Sequence, residues 1–437
     1  MALSISDYLS RGAATSKEIQ AATGFNQTAV SRQLKGMGDR IVTLPNGRSP
    51  KYALTCNAFG VGDKIPLYRV DAYGNRVPIA IIRPLVHGCF FVEALTDMPA
   101  VLYGEGKNGL YEGLPYFLDD LRPQGFLGRQ IAKAMSIQSG DFPTDPRNWH
   151  VNHVGRYLIT NGDDLPGCFQ LGEQACLRLR RAPERINTAD YPTLANEVMK
   201  GVIPGSSAGG EQPKFTAFCG ERSAHVIVKF SPIGDHEVAR RWRDILITEF
   251  HASEALQHQH FPAAETRLIE LEGRLFLESQ RFDRVSEYGR MPMLSLQSVD
   301  AEFTGLGSNW PTVMNALHQE GLVSADDVHH TTVLWAFGRL IHNTDMHLGN
   351  LSLGINGEVF RLLPAYDMCS MGFAPRGGEV LAYDFTPPDI TASQLPEASI
   401  KQANIMAHDF WHRLAHDNRI SDDFKAFLAR GNPIHIE

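Results

Sequence analysis

His342–Asn350 reads HNTDMHLGN, with Tyr366–Asp367 downstream, and this stretch decides how the chain is read. Asp345 is followed five residues later by Asn350 and, seventeen residues after that, by Asp367. A phosphoryl-transfer site needs this order: a carboxylate to orient and deprotonate a hydroxyl, an amide oxygen to hold a metal, and a second carboxylate for the nucleotide's Mg²⁺. Thr331–Ile341 (TTVLWAFGRLI) is apolar enough to predict a buried helix that delivers the loop. Leu351–Leu353 and Val359–Leu362, separated by Asn356–Gly357, predict a hairpin, because Asn-Gly favours tight turns. Taken singly, each acid is better explained as a loop or turn cap. His342 and His347 suggest zinc, but no third ligand stands at a fixed short spacing.

Upstream stretches break the tie. Gly205–Lys214 (GSSAGGEQPK) is a small-residue loop whose backbone N–H groups can approach phosphates closely. Ser206, Ser207, Gly209 and Gly210 are its candidate contacts, with a plain flexible loop as the competing reading. Ala224–Phe230 (AHVIVKF) predicts a strand carrying Lys229, and a buried lysine is costly unless a counter-charge meets it. A helix from about Asp235 to Gln257 offers Glu237 and Glu249, of which Glu249 lies at the better distance along the helix. Leu275–Glu278 predicts another strand, and Ser279–Arg284 (SQRFDR) the crossing between lobes. Glycine-rich loop, strand lysine, helix glutamate, crossover, Asp-x₄-Asn and a final Asp follow the order of a two-lobed kinase.

The charge is unevenly spread. The chain totals −8, yet residues 1–54 hold seven Lys/Arg against three acids, leaving −12 on the remainder. A basic head on an acidic body points to one part meeting a polyanion. The pattern of 3–54 predicts a winged helix-turn-helix. Thr15 or Ser16 caps a helix to about Thr23, Gly24 supplies the turn, and Gln27–Lys35 forms a third helix. Gln27, Thr28, Ser31 and Arg32 fall on its exposed face, suited to base edges and phosphates. Ile41–Thr43 and Lys51–Leu54 flank a wing tipped by Arg48.

Residues 55–66 read as a linker, and 67–181 as short strands and turns without a catalytic constellation, hence structural or partner-binding. Tyr116–Leu121 followed by RPQGFLG reads as a helix and turn. The boundaries expected are 1–55 for the head, 56–190 for an N-terminal subdomain, 191–284 for an ATP-binding core and 285–437 for a helical lobe. The fold class is α+β. Six cysteines form no CxxC pair, and no apolar run is long enough for a membrane span. Both favour a cytoplasmic protein with no membrane partner.

On SSAGGEQPK, HVIVKF, QRFDR, NTDMHLGN and AYDM the chain resembles the HipA family of serine/threonine kinases, toxin components of bacterial toxin–antitoxin systems, and within it the HipH (YjjJ) type. The resemblance spans roughly residues 67–437. It implies ATP and Mg²⁺ bound between two lobes, with transfer to a protein Ser or Thr. Asp345 would be the catalytic base, Asn350 and Asp367 the metal ligands, and Lys229 the phosphate contact. Gln280 and Phe282 would present the hinge to adenine, with Asp283 and His347 near the ribose or phosphates. Ser206 or Ser207 would be the site of silencing autophosphorylation. The substrates implied include translation components such as aminoacyl-tRNA synthetases, and the partners implied include an antitoxin, whereas DNA is predicted for the head. The simplest members lack a DNA-binding head, and the loop here is less basic than is common. Two other readings compete: a transcription regulator with a nucleotide-sensing body, and a Mg²⁺-dependent nuclease. The intact Lys229, Asp345, Asn350 and Asp367 weigh against a dead kinase, and the spacing of the acids suits ATP better than two clustered metals.

Overall fold

The computed structural model describes residues 3–178, 182–201, 212–390 and 395–434. Its first unit follows from its caps. The Thr15 hydroxyl accepts from the Glu18 N–H while Glu18 accepts from the Thr15 N–H at 2.7 Å, so helix Ser16–Thr23 starts on a reciprocal cap. It stops at Gly24, whose φ of 75° glycine adopts without steric cost. Asn26 caps helix Gln27–Met37 through the Ala29 N–H. Ile5, Leu9, Ile19, Val30 and Leu34 close a small core. Strands Ile41–Leu44 and Lys51–Leu54 pair antiparallel, and a two-residue strand, Ala14–Thr15, joins the same sheet.

The stretch 55–66 is packed rather than a free linker. Phe59, 7% exposed, stacks on Phe90 with ring centroids 5.7 Å apart. Its ring lies where a Cβ on Gly155 would come within 2.3 Å, so that helix position needs glycine. Arg83, 3% exposed, donates to the Asp39 carbonyl at 2.6 Å and pairs with Asp63 and Glu93. A buried guanidinium thus ties the first unit to the second. The polar, glycine-containing composition of this stretch pointed to a linker; Phe59 was the contrary signal.

The second unit is a five-stranded antiparallel sheet in the order Leu110–Glu112, Cys89–Ala94, Arg76–Pro84, Ile65–Val70 and Phe169–Leu171. Helices Gly125–Ser139 and Val151–Asn161 accompany it. The first of these extends well past the turn expected at RPQGFLG. Leu127, Ile131 and Met135, four residues apart, bury one stripe, and Gly140 ends the helix at φ 71°.

A second five-stranded sheet runs Thr266–Leu271, Arg274–Gln280, Ala224–Phe230, Lys214–Cys219 and Arg185–Ile186. Its pairs are antiparallel except the last. Helix Glu237–His258 packs on it and on helix Glu397–Ala415. Beyond Gln280 the chain is mainly helical: Leu296–Phe303, Trp310–Gln319, Ala325–Leu340, Glu397–Ala415 and Asp422–Leu428. A small sheet of Leu294–Ser295, Ser352–Asn356 and Val359–Leu362 includes the expected hairpin, with Asn356 opposite Val359. The cleft described next lies where the second large sheet, this hairpin and part of the second unit converge.

Candidate active site

Strand pairing creates the site's electrostatic problem and its solution. Lys214 stands directly opposite Lys229 on adjacent strands, and the two are 2% and 6% exposed. Like charges so placed repel, and burial adds the cost of lost hydration. Two carboxylates offset both for Lys229, whereas at Lys214 burial still weakens the hold on the proton. Lys229 Nζ donates to Glu249 Oε1 and Oε2 at 2.6 and 2.7 Å and also pairs with Asp367. Burial would lower the Lys229 ammonium's affinity for its proton, but Asp367 and Glu249 outweigh it and raise that affinity well above the lysine norm. Burial would likewise raise the Asp367 carboxyl, but Lys229 and Lys214 hold it down at about 2. For Glu249 burial is the larger effect, and its carboxyl is raised despite Lys229.

The Asp367 shift carries a sign. A carboxyl whose folded pKa lies below its unfolded value contributes stability above the unfolded pKa and loses it as pH falls through the folded one. Wild-type protein is therefore expected to exceed Asp367→Asn in stability by about 1–2 kcal/mol above pH 5, with the gap closing toward pH 2. Paired urea titrations across pH 3–6 check this; a gap that widens on acidification contradicts it.

The loop carrying Asp345 is held on three sides. Helix Ala325–Leu340, capped by Ser324 and Asp327, delivers it. His342 follows with φ 61°, an uncommon conformation for a non-glycine residue, and its ring lies 4.7 and 4.4 Å from those of Phe373 and Phe385. Asn343 Oδ1 accepts from the Asp345 N–H at 3.0 Å, and Asn350 Nδ2 donates to the Asp345 carbonyl at 2.7 Å. Asn350's Oδ1 is then the atom suited to face a cation. His347 accepts from the Gly349 N–H through Nδ1 and places Nε2 3.7 Å from Asp345 Oδ1. The Asp345 side chain stays 45% exposed.

Lys214, Lys229, Glu249, Asn350 and Asp367 line the cleft together with the apolar side chains of Ile227, Phe282, Met293, Pro166 and Tyr366, the Phe282 and Tyr366 rings 5.7 Å apart. Tyr366 shares a hydrogen bond with Ser352 Oγ at 2.7 Å and donates to the Gly349 carbonyl at 3.2 Å. Apolar side chains beside two buried lysines suit a flat base with a phosphate tail.

The remaining expected residues sort plainly. Gln280 and Phe282 line the cleft, but the Gln280 N–H donates to the Glu265 carbonyl and its side chain accepts from Arg222. Asp283 reaches the cleft's edge with its carboxylate taken up by Arg281, Arg284 and the Gly167 N–H. There it locks the second unit to the crossover. Ser206, Ser207, Gly209 and Gly210 lie outside the described residues. Sequence reasoning missed Lys214 and also Asp120, Arg122, Gln124 and Pro166, which the second unit contributes to the cleft. Only Lys214 left a local signal, as a lysine opening an apolar strand. Far from the cleft, Gln27, Thr28, Ser31 and Arg32 are exposed on one helix, and Arg48 is exposed at the hairpin turn.

The donor set fits Mg²⁺ with a nucleotide. Mg²⁺ prefers hard oxygen ligands and is commonly held by one or two carboxylates plus substrate phosphates. Asp367 and Asn350 carry oxygens of the kind that could supply that limited share. Among the described residues no group of three or more His, Cys, Asp or Glu forms a self-sufficient metal cage.

Two family models match: YjjJ-like toxin, middle domain, over residues 61–180, and HipA-like C-terminal domain, over 206–423. Toxin YjjJ of Escherichia coli (strain K12) is 35% identical over 434 residues, covering 96% of this chain and 94% of that protein. Among solved structures, a chain of the Shewanella oneidensis MR-1 toxin–antitoxin system HipA, HipB and operator DNA complex aligns with a TM-score of 0.56. That alignment has 14% identity and covers 84% of this chain and 94% of that one. The Helicobacter pylori proinflammatory kinase CtkA aligns at 0.35 with 14% identity, over 50% of this chain and 87% of that one. The architecture is thus a HipA-like kinase fold of mixed α and β elements.

Proposed function

We propose a residue-level mechanism for this chain, which belongs to the YjjJ type of the HipA family of toxin protein kinases and acts as a serine/threonine kinase. In this reading residues 191–284 and 285–437 are two lobes that take Mg²⁺·ATP between them. The bound nucleotide would supply the γ-phosphoryl group, and its metal would neutralise charge on the phosphates. Lys229, fixed by Glu249, contacts the phosphates, with Lys214 beside it. Asn350 and Asp367 hold the cation, and Phe282, Tyr366 and Ile227 enclose the base. Asp345 accepts the proton of a protein Ser or Thr hydroxyl, oriented by the Asn343 and Asn350 hydrogen bonds to its backbone. The Lys229–Glu249–Asp367 cluster, in a cleft also lined by Ile227, Phe282 and Tyr366, is the observation that carries this reading. Incubation with labelled ATP and a protein extract, followed by phosphosite mapping, tests it. Label on Ser or Thr that requires Mg²⁺ supports it, and no transfer under any condition overturns it. We assign silencing autophosphorylation to Ser206 or Ser207, since roughly −1.5 to −2 charge there would oppose the nucleotide's own phosphates.

We read residues 3–54 as a winged helix-turn-helix that meets DNA. The support is its net positive charge, the exposed polar face Gln27, Thr28, Ser31 and Arg32, and Arg48 at the turn. Arg32→Ala and Arg48→Ala are each expected to reduce the slope of log affinity against log salt by about one. Full-chain gel shifts at several salt concentrations measure this, and unchanged slopes contradict the assignment. The Shewanella system holds HipA, HipB and operator DNA together. An antitoxin partner for this chain rests on that complex alone, whereas the DNA contact rests also on this chain's own residues. No helix among the described residues is long and apolar enough to cross a membrane. With the absence of paired cysteines this supports a cytoplasmic placement. The nuclease alternative needs clustered acids for two metals, which the described residues do not form.

A further inference from the structure

The stretch after Asp367 has little regular structure of its own. Met368–Tyr383 holds one short turn, Met371–Phe373, and an isolated bridge between Arg376 and Glu379. Asp367 itself has φ 54°, a left-handed conformation that a non-glycine residue keeps only when its surroundings enforce it. The enforcement comes from helix Glu237–His258. Arg241, 5% exposed, donates from Nη1 to the Phe373 carbonyl at 2.8 Å and from Nη2 to the Leu381 carbonyl at 2.7 Å. Its guanidinium carbon lies 3.7 Å from the centroid of the Tyr383 ring. Three residues on, Asp244 accepts from the Tyr383 hydroxyl at 2.6 Å and from Ser421 at its N–H and hydroxyl. One turn further, Thr248 Oγ1 accepts from the Ser370 N–H at 3.1 Å.

Arg241, Asp244 and Thr248 stand three and four residues apart, so they share one helix face. Glu249 follows Thr248 directly. One rigid helix therefore sets both the partner of Lys229 and the path of the chain leaving Asp367. We propose that Arg241 is a positioning residue for phosphoryl transfer, with Asp244 and Thr248 as its supports, holding Phe373–Tyr383 so that Asp367 keeps its place beside Lys229. This rests on the reading of Asp367 as a Mg²⁺ ligand. Arg241 touches neither Lys229 nor Asp367 and acts through the backbone it tethers. Bidentate bonding to two carbonyls with a ring stacked beneath is a task lysine cannot reproduce fully.

The test uses the full chain. Arg241→Met is expected to slow transfer by about 10²-fold, as a misplacement of roughly 1 Å does. It should raise the Mg²⁺ concentration needed for half-maximal transfer at least several-fold, while affinity for ATP measured in EDTA changes little. Backbone amides of Met368–Tyr383 should exchange hydrogen faster than in wild type, with or without nucleotide. Arg241→Lys should recover part of each change. Tyr383→Phe keeps the ring and loses only the bond to Asp244, so it decides the matter if Arg241→Met fails to fold. It should shift the Mg²⁺ requirement in the same direction by a smaller factor. Wild type that does not bind ATP in Mg²⁺ would overturn the nucleotide reading. Wild type that binds ATP, beside folded variants with an unchanged Mg²⁺ requirement, would overturn the positioning role of Arg241.

Discussion

Asp345→Asn is expected to lower phosphoryl transfer by about 10³-fold while ATP affinity stays within a few-fold of wild type. The asymmetry follows from where the side chain sits. Asp345 is half exposed, bordered by His347, and its backbone is fixed by Asn343 and Asn350. It is absent from the lining of the cleft that holds Lys229 and Asp367. In the proposed mechanism its carboxylate serves the acceptor hydroxyl rather than the nucleotide. Asparagine keeps the shape and loses the base. Transfer rates at saturating ATP, together with titration of a fluorescent ATP analogue, separate the two effects. A variant that retains most wild-type turnover would remove Asp345 from the role of base.

Lys229→Met is expected to abolish transfer and also to destabilise the fold, by about 3–5 kcal/mol. The loss is large because the change strands Glu249, a buried carboxylate, and removes the ammonium paired with Asp367. Removing one member of a buried pair costs more than removing both. Lys229→Met combined with Glu249→Met should thus recover much of the stability and none of the activity. Urea denaturation of the two single variants and the double variant measures this coupling. Additive losses would mean that the two side chains do not interact as their 2.6 Å contact requires.

The elements whose chemistry is local were legible before the structure. The Thr15–Glu18 cap and Gly24 bound the second helix of the head, and Ala224–Phe230 is a strand from end to end. The pairing of Lys229 with Glu249 was also legible, because a lysine on a buried strand must find an anion and the following helix offers few. The missed features depend on contacts distant in sequence. Asp120 bonds Ser295, 175 residues away, so its approach to the cleft leaves no mark in its own neighbourhood. Arg83 reaches Asp39 in the same fashion and turns an expected linker into a joint. Asp283, which the family resemblance put near the ribose or phosphates, lines the cleft with its carboxylate bonded to Arg281 and Arg284, contacts that its own neighbourhood announced only in part. Helix Gly125–Ser139 was missed for a different reason: the Gly and Pro of RPQGFLG outweighed a regular stripe of Leu127, Ile131 and Met135.

The cleft between the Lys229 sheet and the Asn350 loop is proposed to take Mg²⁺·ATP and to pass its phosphoryl group to protein serine or threonine. The most direct measurement incubates wild type, Asp345→Asn and Asp367→Asn with γ-labelled ATP and a protein extract, with and without Mg²⁺, and then maps phosphorylated residues. Mg²⁺-dependent phosphoserine or phosphothreonine is expected with wild type alone, and ATP still bound by Asp345→Asn. Equal labelling by all three proteins, or labelling that is indifferent to Mg²⁺, would contradict it.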